Sequence, residues 1–334
     1  MGKLATDALL SSKRINNKKH HQPKELSLGI AHSNVRSDTT VTKKEAVCPL
    51  LFFFMLYLLG MFHPHSTKYP YTEYTDQHYL VVKKNDGTVF DASYPYIDES
   101  KSFKFKRWWV RILLNLIVFP MSIIYLGLRI KGRKKLKYHK DELKNGTITI
   151  SNHIHLWDYI SIMKALRPRK TKVIVWAPNI RGENGPLMRL VGGIPIPDDN
   201  KEGTRAFNDA IGEYLEKGGW LQIYAEGSMW EYYPYIRPFK TGAASLACRY
   251  NKPILPIGFS FRKPSWIRKH IFKQDAAITL TIGDPIYKDD SLPENEQRTD
   301  LTKRAHEAIC ALANIEDGEN LYPPIFNHNK RIDE

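Results

Sequence analysis

Residues 147–159 read TITISNHIHLWDY and predict a strand that bends sharply into a helix. Thr and Ile alternate over residues 147–150, which is the period of a short strand. Ser151 and Asn152 then favour a turn, and an apolar helical pattern begins near Leu156. The sequence therefore predicts a strand-to-helix corner with polar residues at the bend.

His153 and Asp158 are the two side chains that this corner can bring together. On one continuous helix they would diverge by roughly 140°, because each residue turns about 100°, so they meet only if the chain bends between them. An aspartate near a helix start, where negative charge is favoured, can accept a hydrogen bond from one imidazole nitrogen. The other nitrogen then remains available as a base, which suits the removal of a proton from an alcohol.

Strand and helix patterns alternate between residues 146 and 312. Strands are predicted at residues 147–150, 172–176, 193–196, 220–224, 254–261 and 276–282. Helices are predicted at residues 158–166, 204–217, 241–250 and 300–312. This alternation predicts an α/β fold with a mostly parallel sheet flanked by helices. Active sites of such sheets lie at the carboxyl ends of the strands, where both His153 and Glu226 are expected.

The composition divides the 334 residues into four predicted segments. Residues 1–47 are polar and basic, which predicts a disordered tail. Residues 48–140 hold apolar segments and a small insert and are predicted to associate with a membrane, residues 141–313 form the α/β domain, and residues 314–334 form a polar tail.

Two apolar runs lie in the membrane-associated segment. The uncharged residues 49–62 are fewer than the roughly 20 that a transmembrane helix needs, so a signal-peptide core, an interfacial helix and a short span all remain open. Residues 108–130 predict a kinked or re-entrant amphipathic element, because Asn115 and Pro120 interrupt it. Trp108, Trp109 and Tyr125 could sit at the level of the lipid headgroups.

The formal net charge of +15 indicates an anionic partner. Residues 101–140 contain twelve Lys or Arg and no Asp or Glu, on both sides of the apolar residues 112–128. This favours an anionic membrane surface, where each basic residue contributes about 1 kcal/mol of attraction, over nucleic acid; a buried core helix with solvated ends is the alternative. Three distant cysteines argue against a disulfide framework and fit a reducing compartment. We therefore expect a protein at the cytoplasmic face of a membrane, with membrane lipids as partners.

Further motifs follow the first corner. Residues 225–228 read AEGS directly after a predicted strand, residues 238–244 read PFKTGAA, and residues 253–258 read PILPIG. This order resembles the glycerolipid acyltransferase family, typified by the bacterial 1-acylglycerol-3-phosphate acyltransferases. The four blocks of that family correspond here to residues 152–158, 192–199, 226–230 and 253–258, and the resemblance covers roughly residues 131–285.

The resemblance implies transfer of a fatty acyl group from acyl-CoA or acyl-carrier protein to the hydroxyl of a lysolipid. The expected acceptor is 1-acylglycerol 3-phosphate, giving phosphatidic acid, and no cofactor is needed beyond the thioester co-substrate. His153 would be the catalytic base and Asp158 would fix its tautomer. Backbone amides near Gly227 and Ser228 are candidates for the oxyanion donors.

Substrate-binding roles are expected for the second corner and the segment after it. By resemblance, Glu226, Gly227 and Ser228 would shape the acceptor site, and Ser228 would supply a hydroxyl. Lys240 precedes a predicted helix start, a position that attracts phosphate. Arg237 is a second candidate for the phosphate.

The chain departs from the family pattern at two positions where the family has arginine. Met229 occupies one, and Asp198 lies where an Asp-Arg pair would end the second block. Only arginine offers a bidentate fork to phosphate. Phosphate must therefore be met by other cations, or the acceptor carries no phosphate. The candidate cations are Arg237, Lys240, Arg181 and Arg189.

Two rival functions remain at this point. His153 and His155 could belong to a metal hydrolase, but no third ligand has a useful spacing, and metal sites need three or four ligands. We therefore predict no metal. The other rival is a basic protein without catalytic activity that binds membrane or RNA.

Overall fold

The computed structural model describes residues 86–314 except residues 199, 234, 272, 273 and 275. The predicted disordered tail at residues 1–47, the apolar run at residues 49–62 and residues 315–334 of the predicted polar tail lie outside the described residues.

A mixed sheet of seven strands forms the centre of the described region, in the order β1-β7-β6-β2-β5-β3-β4. The strands are β1 (Arg129–Lys131), β2 (Thr147–Ser151), β3 (Thr171–Val175), β4 (Gly193–Pro195), β5 (Trp220–Tyr224), β6 (Ile254–Arg262) and β7 (Ala277–Ile282). Strands β6, β2, β5, β3 and β4 are parallel to one another, β7 is antiparallel to β6, and β1 is parallel to β7. The predicted mostly parallel sheet is thus confirmed.

Strand β2 lies in the middle of the sheet, and all five of its residues are buried. Its β-branched residues suit a strand that is covered on both faces. The isoleucines Ile148 and Ile150 pack in the apolar core. On the other face, Thr149 donates a hydrogen bond to Gln222 Oε1 at 2.6 Å, so a buried polar pair ties β2 to β5.

Helices surround the sheet. An N-terminal helix comprises α1 (Lys101–Leu113), a π-helical turn (Leu114–Val118) and α2 (Phe119–Leu126). The others are α3 (Lys135–Tyr138), α4 (Lys140–Leu143), α5 (Asp158–Ala165), α6 (Ala177–Arg181), α7 (Gly185–Val191), α8 (Lys201–Glu216), α9 (Gly242–Tyr250), α10 (Trp266–His270) and α11 (Glu294–Leu312).

Helices α3, α4, α6, α7 and α10 were not predicted, and two predicted helices begin earlier than expected. Helix α8 begins three residues before its predicted start, because Asn200 caps it by accepting a hydrogen bond from the Gly203 amide at 2.9 Å. Helix α11 also begins before its predicted start at residue 300. Its first turn contains no apolar residues, so the apolar pattern could not indicate it. Strand β1 was not predicted: it has three residues, two of them charged and exposed, at the edge of the sheet. It lies N-terminal to the predicted start of the α/β domain at residue 141.

The N-terminal helix runs without a break over Lys101–Leu126 and is long and apolar enough to cross a membrane. A third of its most apolar 18-residue stretch is buried. The predicted interruption near Asn115 is a π-helical turn, in which the Asn115 side chain donates to Arg111 O at 2.6 Å. Trp108 and Trp109 are exposed, as a headgroup position requires. The prediction for Tyr125 is wrong: it is buried and packs on Trp157, with ring centroids 5.6 Å apart.

Candidate active site

Asn152 ends the central strand and starts the corner. Its side-chain amide donates to Phe259 O at 3.0 Å, and its Oδ1 accepts from the Phe259 N–H at 2.8 Å. The side chain thus takes the place of a backbone group in the pairing of β2 with β6. The main chain after Asn152 is thereby released from the sheet while the buried polar groups stay satisfied.

The corner brings His153 and Asp158 into direct contact, as the sequence predicted. His153 Nδ1 lies 2.9 Å from Asp158 Oδ2. The backbone amides of Ile154 and His155 donate to the same oxygen at 2.7 and 2.9 Å. Asp158 is the first residue of α5, where the helix dipole favours a carboxylate. One oxygen therefore closes the turn and orients the imidazole.

The contact determines which imidazole nitrogen can act as a base. Because the carboxylate accepts the hydrogen bond, Nδ1 carries the proton in the neutral ring and Nε2 holds the lone pair. Burial raises the pKa of Asp158, and the hydrogen bond from His153 opposes that rise. The His153 side chain keeps about a fifth of its surface exposed, whereas Asp158 is buried. The reactive nitrogen therefore belongs to the more accessible member of the pair.

Tyr224 is a site residue that the sequence pattern indicated only as the end of a strand. Its ring stacks on His153 with centroids 3.8 Å apart and planes 12° apart. The register of β2 and β5 explains this contact, because Tyr224 pairs with Ser151, two residues before His153. Burial raises the pKa of the Tyr224 hydroxyl well above its ordinary value. A neutral aromatic face thus fixes the plane of the imidazole.

The second corner follows β5 and contains a buried ion pair. Arg237 donates to Glu226 Oε2 from Nη2 at 2.6 Å and from Nε at 3.0 Å. Its Nη1 donates to Ser228 Oγ at 2.6 Å, and its guanidinium lies over the Trp230 ring, 4.5 Å from the centroid. Burial raises the pKa of Glu226, and the charge of Arg237 opposes that rise. All three polar residues are buried.

The structure brings Glu226, Ser228 and Arg237 into contact with one another, and their predicted binding roles stay predictions. Their charged and polar groups bond to one another below the surface, and Arg237 has no exposed area. They hold the second corner against the first, where the Trp230 amide donates to His153 O at 3.2 Å. In the structure the guanidinium of Arg237 is directed to Glu226 and Ser228, and it therefore helps to position the corner.

Gly227 and Lys240 lie together at the same corner. The Gly227 amide donates to Tyr224 O at 3.0 Å, so it is already used in a turn and is not a free oxyanion donor. A side chain at Gly227, whose φ is +82°, would come within 2.9 Å of Lys240 Cε. Lys240 is exposed, and among the described residues no carboxylate pairs with it. It is the candidate phosphate-binding cation that remains accessible.

Arg181 and Arg189, the other candidate cations, are engaged elsewhere. Arg181 forms an ion pair with Asp198 and donates to Thr88 O at 2.8 Å. Arg189 donates to Tyr96 O at 2.8 Å. Both arginines thus fasten the segment before α1 to the domain. Asp198, which lies where the family has an Asp-Arg pair, is thus the ion-pair partner of Arg181. Residue 199 lies outside the described part of the chain.

His155 is buried and takes part in packing. Its Nδ1 accepts a hydrogen bond from the Trp157 amide at 3.0 Å, and its Nε2 lies 3.8 Å from Glu231 Oε1. Its ring also contacts that of Tyr232. Within the described ranges no group of three or more His, Cys, Asp or Glu side chains could hold a metal ion.

Part of the chain is similar to known proteins. Residues 128–260 match the family model described as Acyltransferase. A comparison with curated proteins finds no match. Among solved structures, the chain is similar to the 1-acyl-sn-glycerophosphate (LPA) acyltransferase PlsC from Thermotoga maritima, with 15% identity, a TM-score of 0.42, and coverage of 65% of this chain and 85% of that one. The match at residues 128–260 extends from just before β1 into β6 and includes both corners.

Proposed function

We propose that this protein is a membrane-associated O-acyltransferase that moves a fatty acyl group from acyl-CoA or acyl-carrier protein to the hydroxyl of a lysolipid. The observation that carries the proposal is the 2.9 Å contact between His153 Nδ1 and Asp158 Oδ2 at the corner of an acyltransferase-family domain. Acyl transfer to an alcohol needs an oriented base, and this contact orients the imidazole and leaves Nε2 to accept the proton.

In the proposed reaction, Nε2 of His153 takes the proton of the acceptor hydroxyl as its oxygen attacks the thioester carbonyl. The tetrahedral intermediate then collapses, the carbon–sulfur bond breaks, and the thiolate takes the proton back from Nε2. The products are an ester and a thiol, and the enzyme is regenerated without a covalent acyl intermediate. Asp158 stabilises the imidazolium while it exists, and a base of this kind contributes about 10² to 10⁴ in rate.

The proposed acceptor is 1-acylglycerol 3-phosphate, with Lys240 as the phosphate contact. Lys240 is exposed, and its side chain lies beside Gly227 at the second corner. A second candidate is a lysolipid without phosphate. It is favoured by the engagement of Arg237, Arg181 and Arg189 in other contacts and by the presence of Met229 where the family has arginine.

Membrane association at the cytoplasmic face is part of the proposal. It is supported by the apolar helix at Lys101–Leu126, whose exposed face carries Trp108, Trp109 and Leu116. Basic residues at both ends of this helix would meet anionic headgroups. The acceptor would then be drawn from the membrane that the helix contacts.

The test is acyl transfer from a radiolabelled acyl-CoA by the full chain in lipid vesicles. Wild type and His153→Ala are each supplied with lysophosphatidate or with monoacylglycerol. We expect wild type to acylate lysophosphatidate and His153→Ala to lose this activity. Product from monoacylglycerol alone would replace the first acceptor with the second. Absence of product from both acceptors, with acyl-CoA and in a repeat with acyl-carrier protein as the donor, would overturn the proposal.

A further inference from the structure

A cavity lies at the amino ends of the parallel strands, at the opposite edge of the sheet from His153. Its volume is about 680 Å³, and it is bounded by α1, by the starts of β3 and β5, and by the end of α8. Thr171 and Trp220, the first residues of β3 and β5, contribute to its wall. Trp220 pairs with Thr147 at the start of β2. His153 follows the other end of β2, about 15 Å away at the rise of an extended strand.

The lining of this cavity is strongly basic. Seven of its lining residues are Lys or Arg, and the one acidic residue is Glu99. Glu99 pairs with Lys104 at 2.9 Å and lies 3.6 Å from Arg107. Glu99 thus serves two of the seven cations, and Lys217 pairs with Glu213 outside the lining. The other four cations have no carboxylate within ion-pair distance among the described residues.

Lys172 is the most deeply placed of these cations. Its side chain is buried, and its Nζ lies 5.3 Å from the centre of the Tyr214 ring. In the part of the chain that the structure describes, no carboxylate lies within ion-pair distance of Lys172, Arg111 or Lys170. A buried cation without a counterion is costly to the fold. An anion bound in the cavity would offset this cost by supplying the missing charge.

We propose that this cavity binds a phosphate-bearing anion, either the headgroup of an anionic lipid or a soluble phosphate compound. Clustered Lys and Arg side chains form the charge-assisted hydrogen bonds that phosphate oxygens favour. Trp108 lines the cavity and is about half exposed, and its ring contacts that of the exposed Trp109, with centroids 4.9 Å apart. The cavity therefore borders the surface that would meet a membrane, which makes a lipid headgroup accessible to it as well as a soluble ligand.

The protonation of Lys172 gives this binding a pH dependence. Burial, helped by the nearby Arg107, Arg189 and Arg111 and opposed by Glu99, lowers the pKa of Lys172 to about 8. Tyr214, the other titratable group that faces it, has a pKa raised by burial to about 12 and stays neutral. Lys172 is thus charged at pH 7 and largely neutral at pH 9. Anion binding should weaken over that interval.

The experiment measures binding of two probes to the full chain in detergent by calorimetry and flotation. Inorganic pyrophosphate tests the soluble source, and phosphatidylcholine vesicles with added phosphatidate test the headgroup. The variants are Lys172→Gln and Arg111→Gln, with Lys172→Arg to restore the charge. Lys303→Gln on α11 is the matched control, since that lysine is exposed and far along the chain from the cavity. His153→Ala reports any binding at the active site.

We expect Lys172→Gln and Arg111→Gln to weaken binding of one or both probes about tenfold, and Lys172→Arg, Lys303→Gln and His153→Ala to bind as wild type does. Loss confined to pyrophosphate assigns a soluble ligand, and loss confined to phosphatidate vesicles assigns a headgroup. Thermal melting checks that each variant is folded. Wild-type affinity of both cavity variants for both probes would overturn the proposal, as would equal weakening by Lys303→Gln.

Discussion

The parallel strands of the sheet end at a carboxyl edge and at an amino edge, and buried charged groups are paired differently at the two edges. At the carboxyl edge, Asp158 accepts three hydrogen bonds and Arg237 is paired with Glu226, so each charged group has a protein partner. At the amino edge, Lys172 is buried among further cations with no carboxylate beside it in the described residues. The first edge is therefore organised before any substrate arrives. The second is completed by a ligand, and variants at the two edges should behave differently.

The largest expected effect is on the reaction at the carboxyl edge. His153→Ala removes the base, and we expect kcat to fall by about 10² to 10⁴. Thermal stability should change little, because the His153 side chain is partly exposed. The control is His270→Ala on α10, which lies outside both corners. Radiolabelled product formation measures the effect, and a near wild-type kcat in His153→Ala would show that His153 is not the catalytic base.

Arg237→Met should destabilise the protein by about 3–5 kcal/mol, because it leaves the Glu226 carboxylate buried without its counterion. Replacing Glu226 as well, in the double variant Glu226→Gln and Arg237→Met, should recover part of that loss. Denaturant unfolding measures both variants. If Arg237→Met were as stable as wild type, the guanidinium would not be the structural partner described above.

Lys172→Met should change the free energy of unfolding in the opposite direction from Arg237→Met. It should stabilise the ligand-free protein at pH 7 by on the order of 1–3 kcal/mol. The folded-state pKa of Lys172, about 8, lies below its ordinary value of 10.5, so its charge costs stability in full below pH 8. That cost fades as pH rises from about 8 towards 10.5. Unfolding measured at pH 7 and pH 10 should therefore show a smaller gain at pH 10. A loss of stability at both pH values would show that the charge of Lys172 does not destabilise the fold, and the proposed difference between the two edges would then be wrong.

Lys240→Gln should give the smallest effect. The side chain is exposed at the second corner, so stability should stay within about 0.5 kcal/mol of wild type. If Lys240 contacts the acceptor phosphate, KM for lysophosphatidate should rise several-fold while kcat and the KM for the thioester stay the same. Lys252→Gln, which changes an exposed contact to Asn145 O, is the matched control. An unchanged KM would show that Lys240 does not contact the acceptor phosphate.

The sequence predicted those features that depend on neighbouring residues. The corner at residues 147–159 was predicted because turn formers, a strand period and a helix start lie within thirteen residues. The contact of His153 with Asp158 followed from the need for a bend between them. Strand β5 was also predicted at its observed bounds, because its apolar residues are bordered by glycine and by the second corner.

Features that depend on distant parts of the chain could not be predicted. The stacking of Tyr224 on His153 needs the register of β2 with β5, and the pairing of Arg237 with Glu226 needs the loop between them to fold back. The basic cavity joins α1 to the starts of two strands, which no local pattern relates. The same limit explains why Arg237 was predicted to bind phosphate: its charge is visible in the sequence, but its buried partner is not.

The central claim is that His153 and Asp158 act as one unit, and a double-mutant cycle on kcat tests it most directly. Acyl transfer is measured for His153→Ala, Asp158→Asn and the variant with both substitutions, under saturating thioester and acceptor. The account predicts that the double variant is no slower than His153→Ala alone, because Asp158 acts only through the imidazole. Multiplication of the two single losses, or wild-type activity in Asp158→Asn, would contradict it.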